Sequence, residues 1–146
     1  MSAAGILVAA PSSGAGKTTL TLGLLAALRR RGVAVGSFKV GPDYIDPAFH
    51  SVATERPTFN IDPWAMRFET LAGLLEASGQ GCDLLVGEGV MGLFDGAADG
   101  TGATADIAAL FGLPVPSAAP SNRPMTPSPT RRSQPWPLAS KRPARV

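Results

Sequence analysis

An α/β fold on a parallel sheet is predicted by three observations. Short runs with strand character lie at residues 5–10, 33–40 and 83–86. Leucine-rich stretches with helical spacing separate them. Each strand candidate runs into a glycine-containing turn at its carboxyl end, where open parallel sheets bind ligands.

The first run, GILVAA at 5–10, is continuous enough to be buried on both faces, as a parallel sheet demands. It leads directly into PSSGAGKTT at 11–19, and a helical pattern follows. That order has a physical logic. A buried strand aims the loop, backbone N–H groups wrap an anionic phosphate, and the helix N-terminus adds partial positive charge. Ser13, Gly14, Ala15, Gly16, Lys17, Thr18 and Thr19 are therefore the expected phosphate-binding residues. Lys17 would reach the terminal phosphates, and the Thr18 hydroxyl would ligate Mg2+. The strict P-loop pattern wants glycine where Pro11 stands, so one position departs from it. A turn that binds nothing is the bland alternative, but such a turn has no need of a lysine and two threonines at a helix start. The fold class is thus P-loop NTPase-like.

The first helix carries Leu20, Leu24, Leu25 and Leu28 on one side and ends in Arg29, Arg30 and Arg31 before Gly32. Cations in a last turn match the helix dipole, so these arginines need no nucleic-acid partner. The run 33–40 ends at Lys39 and Val40 and gives way to Gly41-Pro42. Residues 41–63 are polar and proline-punctuated, and are expected to be irregular with at most a brief helix. A second helix is predicted over 64–77, with Phe68, Leu71, Leu74 and Leu75 on its apolar side. The strand at 83–86 leads into Gly87-Glu88-Gly89, a glycine-rich loop covers 92–101, and a short helix covers 104–111. Leu113-Pro114-Val115 begins another strand.

Beyond Val115 that strand is not continued. Of the 14 prolines, eight lie in residues 116–146, too many for a helix or a central strand. Residues 1–115 hold 7 Lys+Arg and 11 Asp+Glu, giving −4, while 116–146 hold 6 basic residues and no acid, giving +6; together they make the net +2. The chain therefore divides into a partial P-loop synthetase-type domain over 1–115 and a Pro/Arg/Ser-rich tail over 116–146, expected to be disordered. Its abrupt onset favours out-of-frame translation, with an authentic disordered tail and a nucleic-acid arm as the weaker readings. A single cysteine, Cys82, excludes an internal disulfide framework and suits a reducing cytosol. No stretch is long and apolar enough to span a membrane, and no membrane or nucleic-acid partner is expected.

Two further groups stand at strand ends: Lys39 with Asp43, Tyr44 and Asp46, and Glu88 with Asp95. A carboxylate at a strand end facing a P-loop is where the Mg2+ of a nucleotide would be held. Asp43 and Asp46 could equally cap turns. His50, the only histidine, is read as a packing or substrate-contact residue, and Cys82 as structural.

The motifs PSSGAGKTTLTLGLLAALRRRG, FKVGPDYIDPAFH, NIDPW and EGVMGLFDG together resemble the N-terminal part of cobyrinic acid a,c-diamide synthases. These are glutamine-dependent amidotransferases of cobalamin biosynthesis. The first motif is widespread among nucleotide-binding proteins; the second and fourth are specific. The resemblance implies a dethiobiotin-synthetase-like domain that uses ATP and Mg2+ to phosphorylate the a and c acetate carboxylates of cobyrinate or hydrogenobyrinate. Ammonia from glutamine then displaces phosphate. It further implies Mg2+ on Thr18, Asp46 and Glu88, and Lys39 at the transferring phosphoryl group. Lys17, Lys39, Asp46, Glu88 and Asp95 are the implied catalytic set, with Asp43 and Tyr44 toward the corrinoid. A cytoplasmic ligase, homodimeric in its full-length form, is the corresponding expectation.

The family's glutaminase domain is absent from this sequence, so the chain is expected to be a fragment with little glutamine-dependent activity. Other acyl-phosphate ligases remain open, namely cobyric acid synthase, dethiobiotin synthetase and nickel-sirohydrochlorin diamide synthase. A partitioning-type ATPase switch is disfavoured, because such proteins carry a lysine where Ser12 stands.

Overall fold

The computed structural model describes residues 3–98 and 101–116. The tail expected over 116–146 lies, beyond Pro116, outside the described residues. Eight elements follow one another: β1 (Ala4–Val8), α1 (Lys17–Arg30), β2 (Val35–Val40), α2 (Asp46–Thr54), β3 (Phe59–Ile61), α3 (Phe68–Gly79), β4 (Leu84–Glu88) and α4 (Thr104–Phe111). The strands form one parallel sheet in the order β1-β4-β2-β3. The predicted α/β parallel architecture with flanking helices is therefore present. No helix among the described residues is long and apolar enough to cross a membrane.

Alternation along the strands sends successive side chains to opposite faces, and each face has its own core. Leu7, Phe38, Val40, Ile61 and Leu85 pack with Leu71 of α3 and Ile107 of α4. Val8, Val35 and Val86 pack with Leu25 of α1, with Ala53 of α2 against them. Phe38 and Gly87 are register partners. A Cβ on Gly87 would lie 2.2 Å from the Phe38 ring, so glycine there is what admits the largest buried side chain of the sheet.

Two expectations are corrected. The segment 41–63 is more regular than its prolines imply, because it holds both α2 and β3. Pro47 sits in the first turn of α2, where a missing N–H costs nothing, and Asp43 accepts hydrogen bonds from the N–H groups of Ile45 and Asp46 at 2.8 and 3.0 Å. The second long helix starts at Phe68 instead of position 64, since Asp62 binds the Trp64 and Ala65 N–H groups in a turn of its own. Residues 113–116 add no strand to the four-stranded sheet, as expected, but they run beside β1: Leu7 donates to the Pro114 carbonyl at 2.9 Å and Ala9 to the Pro116 carbonyl at 3.2 Å. In a parallel ladder the return bond to the Leu7 carbonyl would come from the N–H of residue 116, and proline has none. Among the described residues, that side of β1 is hydrogen-bonded in one direction only.

Candidate functional site

The register of the two central strands builds the site. Ser37 lies opposite Val86 and Lys39 opposite Glu88. Val35, Ser37 and Lys39 share one face with Leu84, Val86 and Glu88, so this face turns from apolar to ionic toward the carboxyl ends. On β1, Val8 pairs with Glu88 and is followed by the loop that opens α1. Gly14 and Gly16 adopt φ of 74° and 82°, a left-handed conformation that a side chain would strain. Gly16 is the N-cap of α1, so the chain turns there with no side chain over the backbone.

Thr18, in the first turn of α1, gives its hydroxyl to Glu88 Oε1 at 2.6 Å, with Asp46 Oδ2 at 3.2 Å. The Lys39 ammonium bridges the same two oxygens, at 2.5 Å from Asp46 and 2.8 Å from Glu88. Asp43 stands 3.7 Å from that ammonium. The far oxygen of Glu88 meets His50 Nε2 at 2.8 Å, and His50 Nδ1 lies 2.8 Å from Ser37 Oγ, which donates to the Val86 carbonyl at 2.9 Å. Both ring nitrogens of His50 are thus engaged, one by Ser37 and the other by Glu88.

Glu88, His50 and Ser37 are wholly buried, and Lys39 is nearly so. Burial alone would push the Glu88 carboxyl up, but hydrogen bonds from His50, Lys39 and Thr18 outweigh it and hold the group down at about 2. Burial likewise works against the Lys39 ammonium, and its bonds to Asp46 and Glu88 prevail, raising it above the usual lysine value. Lys17 is lowered, first by burial and then by the neighbouring Lys39 charge. Its ammonium donates to the Ser12 carbonyl at 3.1 Å. Asp43 is held low; burial opposes this, and the Asp46 and Ile45 N–H groups and then Lys39 prevail.

Of the residues expected to act, Lys17, Thr18, Lys39, Asp46 and Glu88 converge at the start of α1. Asp95 lies beside them: its carboxylate accepts from the Gly92 N–H at 2.7 Å, and a Cβ on Gly92 would meet the Pro11 carbonyl of the phosphate loop at 2.5 Å. Tyr44 is 93% exposed and touches none of this cluster by hydrogen bond or ion pair among the described residues. Asp43 caps the turn into α2. His50 is wholly buried, so it cannot contact a substrate directly, and it does more than pack. Ser37 carries no signal in the sequence by itself. Its signal is positional, two residues before Lys39 on one strand face.

Thr18, Asp46 and Glu88 offer only oxygen, the hard donor set that suits Mg2+. Among the described residues no group of three or more His, Cys, Asp or Glu side chains is placed to hold a metal by itself.

The CbiA family, described as the CobQ/CobB/MinD/ParA nucleotide binding domain, matches residues 6–112. Among curated proteins the chain is similar to the hydrogenobyrinate a,c-diamide synthases of Rhizobium meliloti, 60% identical over 111 residues, and of Brucella anthropi, 58% identical over 112. That of Rhodobacter capsulatus is 56% identical over 118 residues. In each case the match covers 76% of this chain and 26% of the relative, so the chain spans about a quarter of the length of the proteins it matches.

Proposed function

The chain belongs to the CobQ/CobB/MinD/ParA nucleotide-binding domain family, and from that premise we propose that it is the ATP-binding part of an enzyme that amidates the a and c acetate carboxylates of hydrogenobyrinate. The observation that carries this reading is the convergence of Thr18, Asp46, Glu88 and Lys39 at the start of α1, beside Lys17. The names borne by relatives at 55–60% identity favour hydrogenobyrinate over the other substrates of such ligases. They also favour a ligase over a partitioning-type switch, although both fall within the family's description.

In this reading the N–H groups of residues 13–19 hold the ATP phosphates, and Lys17 leaves the Ser12 carbonyl for the terminal phosphates. Thr18, Asp46 and Glu88 would hold Mg2+, which when bound offsets phosphate charge. Lys39 stands where a carboxylate of the substrate and a phosphoryl group must approach each other, and its ammonium offsets their repulsion. A carboxylate oxygen attacks the terminal phosphorus, ADP departs, and ammonia then displaces phosphate from the acyl carbon. Carboxylate oxygen is a poor leaving group and phosphate a good one, which is the reason for activation. In this reading Asp43 and Tyr44 would face the corrinoid, and Asp95 closes a turn on the Gly92 N–H beside the phosphate loop. Glutamine as ammonia source belongs, in this proposal, to the part of the relatives that this chain does not span. Homodimerisation and a cytoplasmic location complete it, the latter agreeing with the free thiol of Cys82.

The test is a titration of hydrogenobyrinate into the purified chain with Mg2+ and ATP, followed by the pigment's absorbance. A saturable spectral change that requires nucleotide is expected. Binding of nucleotide with no response to the pigment would sink the substrate assignment and leave the nucleotide site standing.

A further inference from the structure

We propose that His50, anchored by Ser37, is a positioning residue that fixes the Glu88 carboxylate so that one oxygen faces Thr18 and Lys39. The inference rests on the nucleotide-site reading of Glu88 and adds residues that reading does not use.

The geometry divides Glu88 into two halves. Oε1 takes the Thr18 hydroxyl and the Lys39 ammonium, whereas Oε2 takes only His50 at 2.8 Å. A carboxylate bound on one oxygen can rotate about its last bond; one bound on both has its plane fixed. His50 is itself fixed from behind, because Ser37 Oγ contacts Nδ1 and is tied to the Val86 carbonyl. The chain of contacts thus runs from β4 backbone through β2 and α2 and returns to a β4 side chain two residues on. All three side chains are wholly buried, and water cannot substitute for any of them without repacking.

The same contact also places α2. Asp46 and His50 are four residues apart on that helix, one turn, and so share a face. Asp46 meets Lys39 and Thr18 while His50 meets Glu88. Holding His50 against Glu88 therefore holds Asp46 at the mouth of the site. Both ring nitrogens are partnered, so the ring orientation that presents Nε2 to Glu88 is fixed.

The experiment measures binding of a fluorescent ATP analogue to the whole chain as Mg2+ is varied, with thermal melts in parallel. His50→Ala is expected to raise the Mg2+ concentration at half-maximal binding about tenfold, the low end of what losing an outer partner of a metal ligand costs. His50→Gln keeps an amide N–H that can reach Glu88 Oε2 and should recover the Mg2+ response to within about threefold. Ser37→Ala should shift it about threefold by releasing the ring. An unchanged Mg2+ response in His50→Ala overturns the proposal. So does an equal shift in His50→Ala and His50→Gln, which would make the residue a packing element. Should His50→Ala not fold, Ser37→Ala decides: a shift supports the proposal and no shift overturns it. Absence of Mg2+-dependent binding in the unsubstituted chain would remove the nucleotide reading and this inference together, whereas binding insensitive to these substitutions removes this inference alone.

Discussion

Along its β4 side, β1 runs five residues in register, from Ala4 with Leu84 to Val8 with Glu88. Along its other side it gives two hydrogen bonds, to the carbonyls of Pro114 and Pro116, and proline can return none. The candidate site lies on the first side: on β2 and β4, on α1 and α2, and on the loops that follow β1, β2 and β4. Where the sheet is fully laddered, register fixes side chains to a fraction of a residue, and a buried ionic cluster can be held together. Where the ladder runs one way, only apolar contacts such as those of Leu113 and Val115 add to it. Prolines beside an edge also blunt strand pairing between copies, because they offer no N–H to a neighbouring strand.

Substitutions on the two sides should differ in size accordingly. Phe38→Ala empties the deepest site of the laddered side and is expected to cost about 4 kcal/mol, read as a large fall in denaturant midpoint. Gly87→Ala forces a methyl into the Phe38 ring, which cannot move without disturbing the core, for a cost of about 3 kcal/mol. The contrast is sharpest against Gly5→Ala, which meets only the terminal methyl of Leu113 at 2.7 Å. Leu113 can swing aside, so a cost under about 1 kcal/mol is expected. Equal melting shifts for the Gly87 and Gly5 variants would break the comparison.

Acid provides a second probe of the laddered side. Glu88 is held at about 2 in the folded chain against an ordinary 4.5, so between those values the unfolded chain binds the extra proton. The stability this group contributes is complete above about pH 4.5 and is lost as pH falls toward 2, a change of up to about 3 kcal/mol. Denaturant melts at stepped pH should show that slope, and Glu88→Gln should flatten it. Leu113→Ala, on the one-way side, should cost about 1 kcal/mol with no pH dependence in this window.

Much of the architecture was legible because it depends on local chemistry. The loop 11–19 announced itself through Gly14, Gly16, Lys17 and Thr18, and strand ends marked Lys39 and Glu88. What escaped depends on contacts distant in sequence. Nothing in the residues 41–63 weighs Asp43 as a cap for α2 above the prolines that argue against a helix, and without α2 the four-residue spacing of Asp46 and His50 has no meaning. Ser37 becomes informative only once β2 and β4 are paired in register. The insertion of β4 between β1 and β2 is likewise a property of the whole sheet. Pro114 and Pro116 read as a strand's end, yet their carbonyls still serve β1, because proline lacks a donor and keeps its acceptor.

The central claim, that this chain holds a nucleotide through the loop at 11–19, is tested most directly by calorimetric titration of ATP with Mg2+ into the unsubstituted chain and into Lys17→Ala. The account predicts saturable binding to the first that weakens at least about tenfold in the second, as expected when a charge-assisted contact to phosphate is removed. Equal affinity in the two, or no heat of binding in a folded unsubstituted chain, would contradict it.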